Sequence, residues 1–332
     1  MKKHNFSAGP SILPKDVIQK SAEGILNING SNLSLIEISH RSKDFVEIMN
    51  NATSLALELL NLENKGYKAL FLQGGASMQF LMTAYNLLEN KAGYINTGAW
   101  STKALKEAKN FGNAIEIASS KDANFNYIPK NYSIDEDLDY LHITTNNTIF
   151  GTQYHEIPET KNNLICDMSS DIFSRNIDFS KFALIYAGAQ KNMGPAGTTL
   201  VIVKEDILGK VSRNIPSMLD YKIHIDKESM FNTPPVFAVY TSMLTLEWLK
   251  ENGGIKSIEI KNIEKANLLY NAIDSNELFT GFAEKEDRSL MNVTFNLTNQ
   301  EHKQHFDKLC KDANISGVNG HRSVGGYRAS IY

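Results

Sequence analysis

A chain of 332 residues, 42% hydrophobic and 21% charged, carries enough apolar material for two globular domains and has the composition of an ordinary folded protein. Its formal net charge of −3 offers no basic face for nucleic acid, and no apolar run reaches the roughly 18–20 residues of a membrane span. Two cysteines, Cys166 and Cys310, are too few for a disulfide framework, and the opening MKKHNFSAGPSILP lacks a signal-peptide core, so a reducing, cytoplasmic setting is expected.

Short β-branched runs alternate with helical patterns along most of the chain, which predicts an α/β fold with a largely parallel sheet. Residues 43–62 form the first clear helix, with Phe45, Ile48, Met49, Ala52, Leu55, Ala56 and Leu59 on one face. A strand is expected at 68–73, broken by Gly74-Gly75, with a helix over 76–88 and a short strand at 93–96. Further strands follow at 141–145, 164–167, 183–186 and 199–203. Past Asn252 the pattern changes. Gly253-Gly254 ends a helix near Lys250, a long helix covers 255–274, and an alternating, half-exposed strand runs over 290–297. A helix at 302–313 and a last strand at 326–331 complete what reads as a smaller α+β domain.

Three features point to chemistry. In Ile185-Tyr186-Ala187-Gly188-Ala189-Gln190-Lys191 a strand runs into a turn of small residues that presents one lysine, and Gly194 and Gly197 lead into the next strand. The ordinary fate of such a lysine is a surface hairpin. The small residues around it instead leave room for a flat group, and a lysine so held suits a Schiff base with an aldehyde cofactor. Asp167 ends another strand, where it would cap the following turn or face a pyridinium nitrogen and keep it protonated. Gln73-Gly74-Gly75-Ala76-Ser77 joins a strand to a helix, a setting in which glycines and free N–H groups admit a phosphate. It is neither a dinucleotide fingerprint nor a Walker sequence. Trp100, in the loop expected after Gly98, offers a ring for stacking, although a lone tryptophan is more often core.

Taken in order, Phe6-Ser7-Ala8-Gly9-Pro10, Ile38-Ser39-His40-Arg41, Gln73 to Ser77, Tyr186 to Asn192, Met230-Phe231-Asn232-Thr233-Pro234-Pro235, Gly320-His321-Arg322 and Arg328-Ala329-Ser330-Ile331 resemble the phosphoserine aminotransferases of the class V aminotransferase group. The resemblance implies a type I pyridoxal-phosphate (PLP) transferase fold, with a large cofactor-binding domain over 16–252 and a small domain made of 1–15 and 253–332. It implies that Lys191 carries the cofactor and Asp167 pairs with its ring nitrogen. Trp100 would stack on the ring, and Ala76, Ser77, Thr148 and Gln190 would surround it, while Asn232 and Thr233 reach the cofactor phosphate from the partner of a homodimer with shared sites. His40, Arg41, His321 and Arg322 would bind the substrate phosphate or the distal carboxylate of glutamate, with one His-Arg pair from the partner, and Arg328 the α-carboxylate. No metal is implied. The implied reaction moves the amino group of glutamate to 3-phosphohydroxypyruvate, giving phosphoserine and 2-oxoglutarate. Bacterial members also act on a phosphorylated threonine analogue.

Two departures stand out. Some members have arginine where this chain has Ser77, and the family continues into a final helix beyond the segment that here ends at Tyr332. Alternatives of the same fold are another class V transaminase or a desulfurase, which needs an exposed, activated thiol. An alternative of another class is a non-catalytic PLP-binding regulatory module.

Overall fold

The computed structural model describes residues 3–322 and 324–332. The chain opens with a two-residue strand, β1 (His4–Asn5), then α1 (Lys15–Leu26) and α2 (Lys43–Leu59). A β-α succession follows: β2 (Tyr67–Leu72), α3 (Gly75–Leu87), β3 (Lys91–Asn96), α4 (Ala99–Ala108) and β4 (Asn113–Ser119). Four strands then come with only turns and short 3₁₀ segments between them: β5 (Tyr140–Thr144), β6 (Asn163–Asp167), β7 (Leu184–Gly188) and β8 (Thr199–Lys204). After α5 (Tyr221–Asp226) come α6 (Val236–Glu251), α7 (Gly254–Asp274), β9 (Phe279–Gly281), β10 (Asn292–Leu297), α8 (Lys303–Asp312), β11 (Ile315–Ser316) and β12 (Tyr327–Ser330).

The central sheet has seven strands in the order β2-β8-β7-β6-β5-β3-β4. All its pairings are parallel except those of β8, which is antiparallel to both neighbours. The reason is local. Only residues 189–198 separate β7 from β8, which is too short for a crossover carrying a helix, so the chain turns back on itself. Successive side chains of a strand point to opposite faces, and both faces here are apolar. Phe71, Leu141, Ile143, Leu164, Cys166, Ile185 and Ile202 face one core, shared with α1, α2 and α6. Leu70, Leu72, Tyr94, Ile165, Leu184, Tyr186 and Val203 face the other, shared with α3 and α4.

α6 explains why sequence periodicity is weak in this region: buried residues lie all round it, from Ala238 and Val239 to Leu246 and Leu249, because it is wedged between α2, α1 and α7. α1, α4 and β4 escape the sequence reading. α1 begins at Pro14 without a side-chain cap and buries only Val17, Ser21 and Gly24. Gly24 is required there, since a Cβ would lie 2.6 Å from the Tyr240 ring. A smaller antiparallel sheet, β12-β10-β9, packs against α7 around Tyr270, Val293 and Ala329. Its strand β10 starts two residues later than expected and is mostly buried. β1 pairs in parallel with β11, so the N-terminus lies beside the late part of the chain. Among the described residues, no helix is long and apolar enough to cross a membrane.

Candidate active site

The strand directions place the site. β2, β3, β5, β6 and β7 run parallel, so their carboxyl ends open on one edge of the sheet. From that edge emerge Gly74-Gly75 after β2, Gly98 after β3, Thr148 after β5, Asp167 at the end of β6 and Lys191 after β7. Open α/β sheets bind ligands along this edge.

Lys191 sits in a tight turn closed by Gly194 N–H donating to Ala189 O at 2.8 Å. The N-terminal segment lies over this turn: Ser11 N–H donates to Gln190 O at 3.0 Å, and the Ser11 hydroxyl donates to Lys191 O. A Cβ on Gly9 would come to 3.3 Å from Lys191 Cγ, and one on Gly188 to 2.8 Å from the Gln190 side-chain oxygen, so the backbone packs closely around both side chains. Lys191 Nζ donates to Thr148 Oγ1 at 2.7 Å. Burial lowers its pKa to about 8; Arg328 adds to that shift, and Asp167 and Asp171 oppose it. An amine in this state holds a usable lone pair near neutral pH.

Asp167 is buried on the neighbouring strand, in register with Tyr186 of β7. Burial raises its pKa, against the lowering effect of Lys191 and of hydrogen bonds from Ser169. Both roles foreseen for it are structurally available. Ser169 N–H donates to Asp167 Oδ1 at 2.9 Å, as a turn cap would require, while the carboxylate also interacts electrostatically with Lys191. Ser169 Oγ accepts from Gly188 N–H at 3.1 Å and ties the ends of β6 and β7 together. Sequence reasoning missed this serine, which no spacing rule marks.

Gly74 and Gly75 adopt φ of 92° and 66°, a left-handed geometry that glycine tolerates. They turn the chain into α3, whose first backbone bond is Met78 N–H to Gly74 O. The N–H groups of Gly75, Ala76 and Ser77 precede that bond and are available to an anion. Ala76 is half-buried and Ser77 exposed. Asn232 and Thr233 lie beside this turn in the same chain: Asn232 Nδ2 donates to Gln73 Oε1 at 2.8 Å, and Gln73 Nε2 to Thr233 O at 3.3 Å. Trp100 is not in a loop, as expected, but in the first turn of α4. Gly98 starts that helix, and Ser101 Oγ accepts the N–H groups of both Thr97 and Gly98, making a tight start that composition alone did not reveal. The indole centroid lies 5.9 Å from Lys191 Nζ, and the buried Nε1 has no hydrogen-bond partner among the described residues.

The basic side is unevenly assembled. Arg328, on β12, donates through Nη1 to Thr148 O at 3.0 Å, and its buried Nε has no partner among the described residues. His321 and Arg322 are exposed in the preceding loop. His321 has its pKa lowered by burial and then by the charges of Arg328, Lys103 and Arg322. Val324 of the same loop packs on the apolar patch of Phe150 and Trp100. His40 and Arg41 are not brought to this cluster within the chain. They lie in the turn before α2, whose bonds are local, such as Arg41 N–H to Ser39 Oγ at 3.1 Å. Tyr332 was missed: its hydroxyl accepts from Asn292 Nδ2 at 3.0 Å and donates to Ala8 O at 3.1 Å, joining β10 to the segment over Lys191. Cys166 is fully buried and burial pushes its thiol well up, the opposite of an activated nucleophile. Cys310 is buried on α8 and its thiol is also raised.

An amine, a buried carboxylate, an indole and a glycine turn with free N–H groups thus lie along one edge of the sheet. They fit a flat aromatic aldehyde that carries a phosphate and a basic ring nitrogen. The comparisons agree. Residues 3–332 match the aminotransferase class-V family. A phosphoserine aminotransferase of Flavobacterium johnsoniae is 65% identical over 334 residues, covering 100% of this chain and 94% of the relative. The solved phosphoserine aminotransferase of Bacillus circulans subsp. alkalophilus is 42% identical with a TM-score of 0.96, covering 100% of this chain and 93% of that one. A PLP-bound phosphoserine aminotransferase from Trichomonas vaginalis is 34% identical with a TM-score of 0.94, covering 100% and 95%. The chain belongs to the aminotransferase class-V family, and within it groups with the phosphoserine aminotransferases.

Proposed function

We propose that this chain is a PLP-dependent phosphoserine aminotransferase, transferring the amino group of L-glutamate to 3-phosphohydroxypyruvate to give O-phospho-L-serine and 2-oxoglutarate. The observation that carries the reading is the Lys191–Asp167 pair on adjacent strand ends, with Arg328 of β12 beside it. When bound, PLP supplies the electron sink for labilising the substrate Cα–H bond. Lys191 Nζ, with its lowered pKa, would serve as the base that takes that proton. Thr148 Oγ1 orients the amine. Asp167 would keep a proton on the ring nitrogen, and Trp100 would cover the ring. Ala76, Ser77 and Gln190 would line the cofactor, and the free N–H groups at the start of α3 would hold its phosphate.

Arg328 takes the substrate α-carboxylate, using the guanidinium donors not engaged by Thr148 O. His321 and Arg322, with His40 and Arg41, take the phosphate or the distal carboxylate of glutamate. Arginine suits both anions through its planar fork of donors. Losing one such contact costs on the order of 1.5–3 kcal/mol. Arg322→Ala is therefore expected to reduce kcat/KM for phosphoserine by at least about tenfold while sparing unphosphorylated serine, and Arg328→Ala to reduce both alike. Equal losses for serine and phosphoserine in Arg322→Ala would remove the phosphate assignment. The phosphorylated threonine analogue is the second substrate for the same assay, and distinguishes this reading from that of another class V transaminase.

The reading includes a homodimer with shared sites. It is supported by His40 and Arg41, whose turn before α2 is held by local bonds such as Arg41 N–H to Ser39 Oγ and is not brought to the Lys191 cluster within the chain. Mixing inactive Lys191→Ala chains with inactive Asn232 or Thr233 variants is expected to restore part of the activity in hybrid dimers, each with one intact site. A fully active monomer in sedimentation would exclude sharing. The reading also divides the chain into a large domain over 16–252 and a small one made of 1–15 and 253–332, supported by the pairing of β1 with β11. It places the protein in the cytoplasm, supported by the two cysteines being buried and unpaired.

A further inference from the structure

The cations of this chain's phosphate-side cluster include one that neither motif nor spacing singles out. Lys103 lies one turn after Trp100 on α4, exposed, with its Nζ 4.4 Å from the indole centroid. Lys191 Nζ lies 5.9 Å from the same ring. The indole therefore connects Lys103 to the reactive lysine, and Val324 of the His321–Arg322 loop packs on the patch that contains this tryptophan. Lys103 has no carboxylate partner among the described residues. An exposed ammonium of this kind is available to a visiting anion.

Charge counting sharpens the point. A phosphate monoester carries a charge of about −1.5 to −2 at pH 7. Arg322 supplies one full positive charge. His321 is held below its ordinary pKa by burial and then by the charges of Arg328, Lys103 and Arg322, so near pH 7 it offers a hydrogen bond more than a charge. Arg328 is partly engaged with Thr148 O. At the start of α3, Ser77 adds no charge. This chain's half of the cluster therefore lacks a second mobile cation unless Lys103 provides it.

We propose that Lys103 is a specificity-determining residue that binds the phosphate of the phosphorylated substrate together with His321 and Arg322. A flexible four-carbon stem and a compact ammonium let it follow the phosphate as the substrate enters, as a point charge beside the fixed arginine fork. The inference rests on the assignment of a phosphorylated substrate to this site, so its test carries a control for that assignment.

Holoenzyme variants Lys103→Gln and Lys103→Arg are compared with Arg322→Ala, using phosphoserine, unphosphorylated serine, and inorganic phosphate as a competitive inhibitor. Lys103→Gln is expected to raise KM for phosphoserine on the order of tenfold with kcat nearly unchanged, to weaken phosphate inhibition in parallel, and to leave serine alone. Lys103→Arg is expected to restore most of the loss. Wild-type KM for phosphoserine should also rise more steeply with ionic strength than that of Lys103→Gln. If Arg322→Ala loses phosphoserine selectively and Lys103→Gln does not, the role of Lys103 is overturned while the assigned substrate stands. Equal losses for serine and phosphoserine in Lys103→Gln, with a shifted cofactor absorbance, mean that Lys103 acts only through Trp100 and also overturn the proposal. If neither variant discriminates between the substrates, the assignment of the phosphate to this cluster falls, and Lys103 with it.

Discussion

Lys191→Ala is expected to abolish both turnover and the visible absorbance of the PLP-loaded protein while leaving the chain folded. The retention of fold follows from how the turn is held. Its backbone is fixed by Gly194 N–H to Ala189 O, by Ser11 N–H to Gln190 O and by the Ser11 hydroxyl to Lys191 O, none of which uses the lysine side chain. The side chain itself makes one hydrogen bond, to Thr148 Oγ1, and its charged form is disfavoured by burial. Removing it therefore takes away a strained cation as well as a contact. The loss of function follows from the chemistry, because among the residues at this sheet edge Lys191 is the amine next to a buried carboxylate. The same lowered pKa sets a pH expectation for the intact protein. A base is neutral above its pKa, so with a value of about 8 roughly one-tenth of the amine is free at pH 7. Uptake of PLP by the cofactor-free chain should thus speed up as pH rises, with a midpoint near about 8. An absorption scan, a thermal melt and a pH series of uptake rates check all three. Full activity in Lys191→Ala would refute the function proposed here, and a midpoint near 10.5 would refute the burial argument.

Much of this site is legible in the sequence because each piece is a local signal. A strand followed by small residues and a lysine, a strand ending in aspartate and a double glycine before a helix each reflect a local backbone need, and local needs leave a residue pattern. What joins them is topology. Asp167 and Lys191 become neighbours because β6 and β7 pair in parallel, and the short link after β7 reverses β8 without disturbing that pairing. The unmarked residues are those whose role depends on distant partners. Ser169 binds Gly188 N–H through its side chain, Tyr332 reaches Ala8, and Lys103 reaches the neighbourhood of His321 from another element. Trp100 was misplaced for a related reason: α4 is short and starts on a glycine whose N–H is capped from within the helix by Ser101, a geometry without a distinctive apolar period. His40 and Arg41 are visible as a motif, yet this chain alone leaves them outside the cluster.

Asp167→Asn is expected to slow proton transfer at the substrate Cα by a factor on the order of 10²–10³, the usual loss when a fixed electrostatic partner of a developing charge is removed. An amide is nearly the same size and its oxygen still accepts from Ser169 N–H, which holds the end of β6 at 2.9 Å. It brings no buried charge, and Asp167 is a group whose ionised form burial already disfavours. Stability should therefore stay level or rise, for the same reason that replacing buried ions with neutral groups of similar shape often does. Lys191 loses the carboxylate that favours its protonated form, so its pKa should move further below about 8. The two effects separate in measurement. A melt in the absence of PLP reads the fold, the pH dependence of PLP uptake reads the lysine, and single-turnover rates with glutamate read the ring partner. A fold that holds, an uptake midpoint shifted to lower pH and a single-turnover rate reduced at least a hundredfold would together fix the role of Asp167 as the partner of a protonated ring nitrogen. A near-normal single-turnover rate would leave Asp167 only as the cap of the turn at Ser169.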